Sequence, residues 1–175
     1  MMQQNNMHKS LVTVITAWLI IILSFLSCQH EQTTEDKINS LRRQLETDSV
    51  ALGKLKNEAY PEIAKTFRFC DSLLAFIEES QWQACFEKLN LTQAYLQQFR
   101  ETQPLMKRNF DYSLEQTGNL INDLHNNYIN DSLAFAYLQV ELQVADTLHN
   151  QVQYFQQHFD DQKKALESVK KKVMY

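Results

Sequence analysis

From Ile38 onward, apolar side chains recur at helical spacing. Ile38, Leu41, Leu45, Leu52, Leu55 and Ala59 step by 3, 4, 7, 3 and 4 residues. This is a heptad seam with Asp48 at its skipped position, and it predicts a first helix. Gly53 lies inside that helix, at a cost of ~1 kcal/mol relative to Ala, and does not end it. Tyr60-Pro61-Glu62 reads as a boundary, because Pro61 suits a first helical turn and pushes Tyr60 out of helical geometry. A kinked continuation is the alternative. A second helix carries Ile63, Phe67, Cys70, Leu74 and Ile77, and Ser80-Gln81-Trp82-Gln83 has the form of a capping box at the following chain reversal.

A third helix presents Trp82, Cys85, Phe86, Leu89, Leu96 and Phe99, and Thr102 with Pro104 marks the start of a fourth. The fourth has Met106, Phe110, Leu114, Thr117, Ile121, Leu124 and Tyr128 on one face. Asn130-Asp131-Ser132 supplies a cap for a fifth, with Leu133, Tyr137, Val140, Val144, Leu148, Val152, Phe155, Phe159, Leu166 and Val169. With no Gly or Pro after Asp131, this last helix can run ~40 residues and ~60 Å. The expected fold is all-α: an elongated antiparallel helical bundle of coiled-coil-like hairpins with a long C-terminal helix.

Composition supports that reading. The 175 residues include 2 Gly and 2 Pro, too few for the regular turns of sandwiches or barrels. Gly53 and Gly118 are too far apart to form a phosphate-cradling loop. Short connections also leave no long loop on which to build an active site. Gln and Asn are abundant, and a Gln-rich tract from Gln151 to Gln157 is interleaved with aromatics. Because Val152, Phe155 and Phe159 keep helical spacing, it reads as a solvated helix face.

The N-terminus has another character. Lys9 is the only formally charged side chain before Glu31, and an apolar run from Leu11 to Leu26 follows it. In helical form the run spans about 24 Å, short of the ~30 Å hydrocarbon core of a bilayer. It ends in Phe25-Leu26-Ser27-Cys28, after which Gln29, His30, Glu31 and Gln32 are polar. These residues resemble the lipobox of bacterial lipoproteins, although a lipobox usually has Leu where Phe25 stands. The resemblance implies cleavage after Ser27, acylation of Cys28 and tethering to a membrane, as even two acyl chains anchor a protein stably. The expected organisation is a signal peptide over 1–27, a tether over 28–36 and a helical bundle over 37–175. An uncleaved anchor helix is the alternative. Gln29 after the cysteine, with Glu31, Glu35 and Asp36 close behind, is compatible with outer-membrane delivery.

Charge narrows the partners. The chain from Cys28 onward carries 16 basic and 21 acidic residues, a net −5, so nucleic acid is not an expected partner. From Asn109 to Gln162 there are eight acids and no Lys or Arg, whereas Lys163, Lys164, Lys170, Lys171 and Lys172 crowd the end. Cations there suit the unpaired carbonyls of a helix C-terminus. Cys70 and Cys85 both fall on apolar stripes at unequal distances from the expected reversal, and they read as buried free thiols.

Candidate chemistry is sparse. Asp146-x-x-His149 and His158-x-x-Asp161 each place an acid and a His one turn apart, a spacing that can offer two metal ligands from one face. A di-iron bundle needs such pairs on two helices plus further inward Glu, and these two lie ~18 Å apart on a single helix. No cofactor and no enzymatic activity are therefore expected. The expected role is that of a binding or structural module of the envelope, held to the membrane through Cys28. Metal-binding or enzymatic use of the Asp/His pairs is one alternative, and self-association into a coiled-coil spacer is another.

The stretch Asn119-Leu120-Ile121-Asn122-Asp123-Leu124-His125-Asn126-Asn127-Tyr128-Ile129-Asn130-Asp131-Ser132-Leu133, followed by Tyr137, Glu141, Ala145 and Leu148, resembles the small helical lipoproteins of Bacteroidetes. In those, an Asn-rich turn leads into a long final helix. The likeness covers the signal peptide and about the last 60 residues, and it implies location and fold without an activity. Murein lipoprotein, an acylated coiled coil joined to the cell wall through a C-terminal Lys, is a second comparison. Here the lysines stop at Lys172 and Val173-Met174-Tyr175 follow, a departure from that pattern.

Overall fold

In the computed structural model, which describes residues 33–174, the heptad pattern folds into three helical arms. The first arm comprises α1 (Thr34–Lys54), a π-helical turn (Leu55–Ala59) and α2 (Tyr60–Leu73), closed by a 3-10 turn at Leu74–Phe76. The second is α3 (Glu79–His125) and the third α4 (Asp131–Met174). Among the described residues there is no strand, and no helix is long and apolar enough to cross a membrane. The expected signal peptide and Cys28 lie outside the described residues. Helix α1 begins at Thr34, three residues earlier than expected.

Side-chain pairings set the directions of the arms. Lys37 over Phe135, Asp48 with His149 and Glu62 with Lys163 keep a nearly constant sequence separation, so the first arm runs parallel to α4. Phe99 with Phe155 and Thr92 with Gln162 keep a nearly constant sum, so α3 runs antiparallel to it. All three arms bury one continuous seam. On α3 it passes through Cys85, Leu89, Phe99, Met106, Phe110 and Leu120. Phe99 lies against Phe155 and Phe159, at ring-centroid distances of 5.0 and 4.9 Å, and against Tyr60 at 5.7 Å.

Neither proline ends a helix. Tyr60 is helical (φ −59°, ψ −50°), and its N–H donates to Leu55 O, five residues back. The first arm is therefore the kinked continuation and not two helices. Buried positions pass from Leu52 and Leu55 through Ala59 to Ile63 and Cys70, one residue later than a strict heptad would place them. The π turn absorbs that extra residue and widens the backbone where the Pro61 ring would otherwise meet the preceding carbonyl. Pro104 lies within α3, and the expected boundary at Thr102–Pro104 does not exist. The buried positions Phe99, Gln103, Met106, Phe110 and Ser113 hold their 4-3-4-3 spacing across it, and this packing outweighs the local penalty.

The chain reversals differ in how they are capped. At the first, Glu78 and not Ser80 is the N-cap of α3. It makes no side-chain capping bond, and Gln83 Nε2 donates to Glu87 Oε1 instead of closing a capping box. The second follows its sequence. Asn127 adopts φ 57°, the left-handed conformation Asn tolerates, while Tyr128 N–H donates to Asp123 O and Asn127 N–H to Leu124 O. This pair of bonds is a Schellman motif. Asn130 then caps α4, its Oδ1 accepting from Leu133 N–H at 2.9 Å.

The seam of α4 corrects one further expectation. Its N-terminal half buries Ala134, Leu138 and Ala145, while Leu133, Tyr137, Val140 and Val144 remain exposed. From Leu148 onward the expected residues are the buried ones.

Candidate functional site

The polar side chains with chemical potential sit on two flanks of α4. Asp48 occupies a seam position of α1 and is buried, because the seam turns it toward α4. There it meets His149. His149 Nδ1 lies 3.1 and 3.0 Å from the two Asp48 carboxylate oxygens, and its Nε2 lies 2.8 Å from Gln153 Nε2. Both ring nitrogens of His149 are engaged, Nδ1 by the Asp48 carboxylate and Nε2 by the Gln153 amide. A buried carboxylate is thus paired and oriented, as burial of a charge requires.

His149 therefore turns to Asp48 on α1, and Asp146 stays exposed on α4. His158 lies on the other flank. Its ring is 4.6 Å from that of Tyr95 and 3.9 Å from that of Tyr154, and its Nδ1 donates to Tyr154 O at 2.7 Å. Asp161, the acid expected beside it, pairs with Lys164 at 3.6 Å. Among the described residues, no three His, Cys, Asp or Glu side chains converge where they could hold a metal ion.

Both thiols match expectation. Cys70 and Cys85 are free and buried, and the Cys70 thiol donates weakly to Leu166 O at 3.8 Å. Burial, with Glu167 adding to it, pushes the Cys70 thiol above its usual range. That disfavours the reactive thiolate. Three of the five terminal lysines are paired, Lys163 with Glu62 on α2 at 2.7 Å and, within α4, Lys164 with Asp161 and Lys170 with Glu167. The hydrogen bond to Glu62 raises the Lys163 ammonium above its ordinary value.

Two open grooves flank these groups. One, of about 550 Å³, runs beside the π turn between Val50, Lys54, Glu58 and Gln156. The other, of about 530 Å³, lies between Asp160, Lys163, Lys164 and Lys171 on α4. In the interior, Thr92 Oγ1 donates to Gln162 Oε1 at 2.8 Å, while Ser113 Oγ and Glu141 Oε2 are buried without hydrogen-bond partners among the described residues. Sequence reasoning singled out Asp48 only as a gap in a seam. The parallel placement of α1 beside α4, which no local pattern announces, supplies its partner. The arrangement can orient an imidazole and fix the register of two helices. Comparison of the chain with protein-family descriptions, with curated proteins and with solved structures yields no match.

Proposed function

We propose that this protein is a lipid-anchored, non-enzymatic module of the bacterial cell envelope, with binding or structural work carried by its helical bundle and Cys28 as the point of attachment. One observation carries the reading. An apolar run of 16 residues ends in Ser27-Cys28, and six residues after Cys28 the chain enters a helical domain. A signal-type run, an acylatable cysteine, a short polar tether and a folded domain then follow in the order a membrane-tethered lipoprotein requires. The bundle suits such a role because its helices present long faces to solvent and its core is internal to residues 38–169. The test is metabolic labelling with a radiolabelled fatty acid, comparing wild type with Cys28→Ser. Label in the wild type alone, on a chain that has lost residues 1–27, is the expected result. Equal labelling of both, or a chain that keeps its N-terminal run, refutes the proposal.

A further inference from the structure

Helices α3 and α4 each carry a second heptad seam, one residue ahead of the buried one. On α3 it runs from Leu91 to Gln116 with the spacing 4-3-4-3-4-3-4, and Leu91, Leu105 and Tyr112 are its large members. On α4 it runs from Leu133 to His158 on the same spacing, with Leu133, Tyr137, Val140, Val144 and Tyr154. No Lys, Arg, Asp or Glu occupies any position of either seam.

The two seams border one groove. Tyr95 and Tyr154 meet across it at 6.4 Å, and Tyr154 Oη donates to Gln98 Oε1 at 3.3 Å. The opposite flank of α4 is the one that faces the first arm, through Phe135, His149 and Lys163. The groove therefore looks away from α1 and α2. From Leu133 to His158 it extends about 38 Å at 1.5 Å per residue.

We infer that this face binds a second copy of the same chain. Its eight large side chains are 36 to 59 % exposed. At about 100 Å² each they offer about 800 Å², the area each partner contributes to a stable interface. Its make-up, with Tyr present and Lys and Glu absent, is that of an interface core. Charge selects the occupant. The chain from Cys28 onward is net −5, so most approaches of two copies bring like charge together. The uncharged band is where two copies meet without that repulsion. It also lacks the charge by which a basic or acidic foreign partner would be chosen. Glu101, Arg108 and Glu115, of mixed sign, border it on α3, and a two-fold axis can set Arg108 of one copy near an acid of the other.

The inference does not depend on acylation. Sedimentation velocity of the full chain in a non-ionic detergent, over a hundredfold range of protein concentration, tests it beside Val140→Lys, Tyr112→Lys and, as a control on α2, Lys65→Glu. Val140 and Tyr112 are exposed, so lysine there leaves the core intact, and an unchanged circular dichroism spectrum verifies this. The expected result is a reversible dimer that dissociates at least tenfold more readily in both face variants and is unchanged in Lys65→Glu. A wild type that stays monomeric overturns the inference and leaves the face to a different partner. A dimer indifferent to both face variants overturns it as well. Association that disappears in Cys28→Ser yet survives Val140→Lys assigns the contact to the acyl chains and likewise refutes it.

Discussion

The two prolines of the bundle make opposite predictions although both lie in continuous helical arms. Pro104 sits in regular α-helix, exposed, with the buried spacing unbroken on either side. Its ring removes the N–H that would bond Arg100 O and crowds that carbonyl, a penalty of ~3 kcal/mol relative to Ala. Restoring Ala at this position recovers the bond without touching the core. Ala also gives the unfolded chain more freedom, which returns up to ~1 kcal/mol. Pro104→Ala is therefore expected to stabilise the bundle by about 2 kcal/mol, or ~4–8 °C in Tm for a domain of this size. Pro61 follows the π turn, whose five-back bond from Tyr60 to Leu55 has already opened the helix. Pro61→Ala regains little there and loses a preset φ, so its effect is expected to lie within about 0.5 kcal/mol of zero. Urea titrations of both variants, followed by far-UV circular dichroism, measure the difference. A gain from Pro61→Ala that equals or exceeds that from Pro104→Ala refutes the reasoning, because the π turn would then not be what relieves Pro61.

Other consequences concern the core and its thiols. Phe99 packs against Tyr60, Phe155 and Phe159, and Phe99→Ala should cost ~3–5 kcal/mol in the same titration; a loss under ~1 kcal/mol would mean these three arms do not meet there. The raised values of Cys70 and Lys163 have one sign: the folded state holds these protons more tightly than the unfolded chain. The contribution of Cys70 is complete below the unfolded Cys value of 9.0 and is lost as pH rises beyond it, and that of Lys163 is complete up to the unfolded Lys value of 10.5 and is lost only above it. Stability should fall above about pH 9, less steeply in Cys70→Ser. An equal slope in both proteins removes Cys70 as a cause. Iodoacetamide should likewise label Cys70 in urea and leave it unmodified in the native protein at neutral pH.

Local patterns carried much of this structure. The Asn-rich turn was legible because its residues are those that tolerate a left-handed φ and cap the next helix, and Asn127 and Asn130 do both. Buried free thiols at Cys70 and Cys85 followed from their apolar neighbours. Ser80 misled, because a capping box can be written in a sequence wherever Ser and Gln stand three apart, while the helix starts where the chain leaves its 3-10 turn. The prolines misled for a related reason. Proline penalises a helix interior by a few kcal/mol, and two partner arms holding Tyr60, Phe99 and Met106 in place exceed that penalty.

Helix content, the direction of amphipathicity along the first arm and α3, and the position of the second reversal were set by the sequence itself, since spacing, scarce Gly and Asn chemistry act within a few residues. Which face of α4 is buried was a tertiary decision. Two heptad seams one residue apart run along its first half, and the one with larger side chains, Leu133, Tyr137, Val140 and Val144, looks like the core. Packing of three arms at one level admits the smaller Ala134 and Ala145 beside Leu138 and leaves the larger set outside. Asp48 likewise found His149 only because α1 and α4 lie parallel. Such choices rest on volume and proximity between segments about a hundred residues apart, and no single stretch of the chain encodes them.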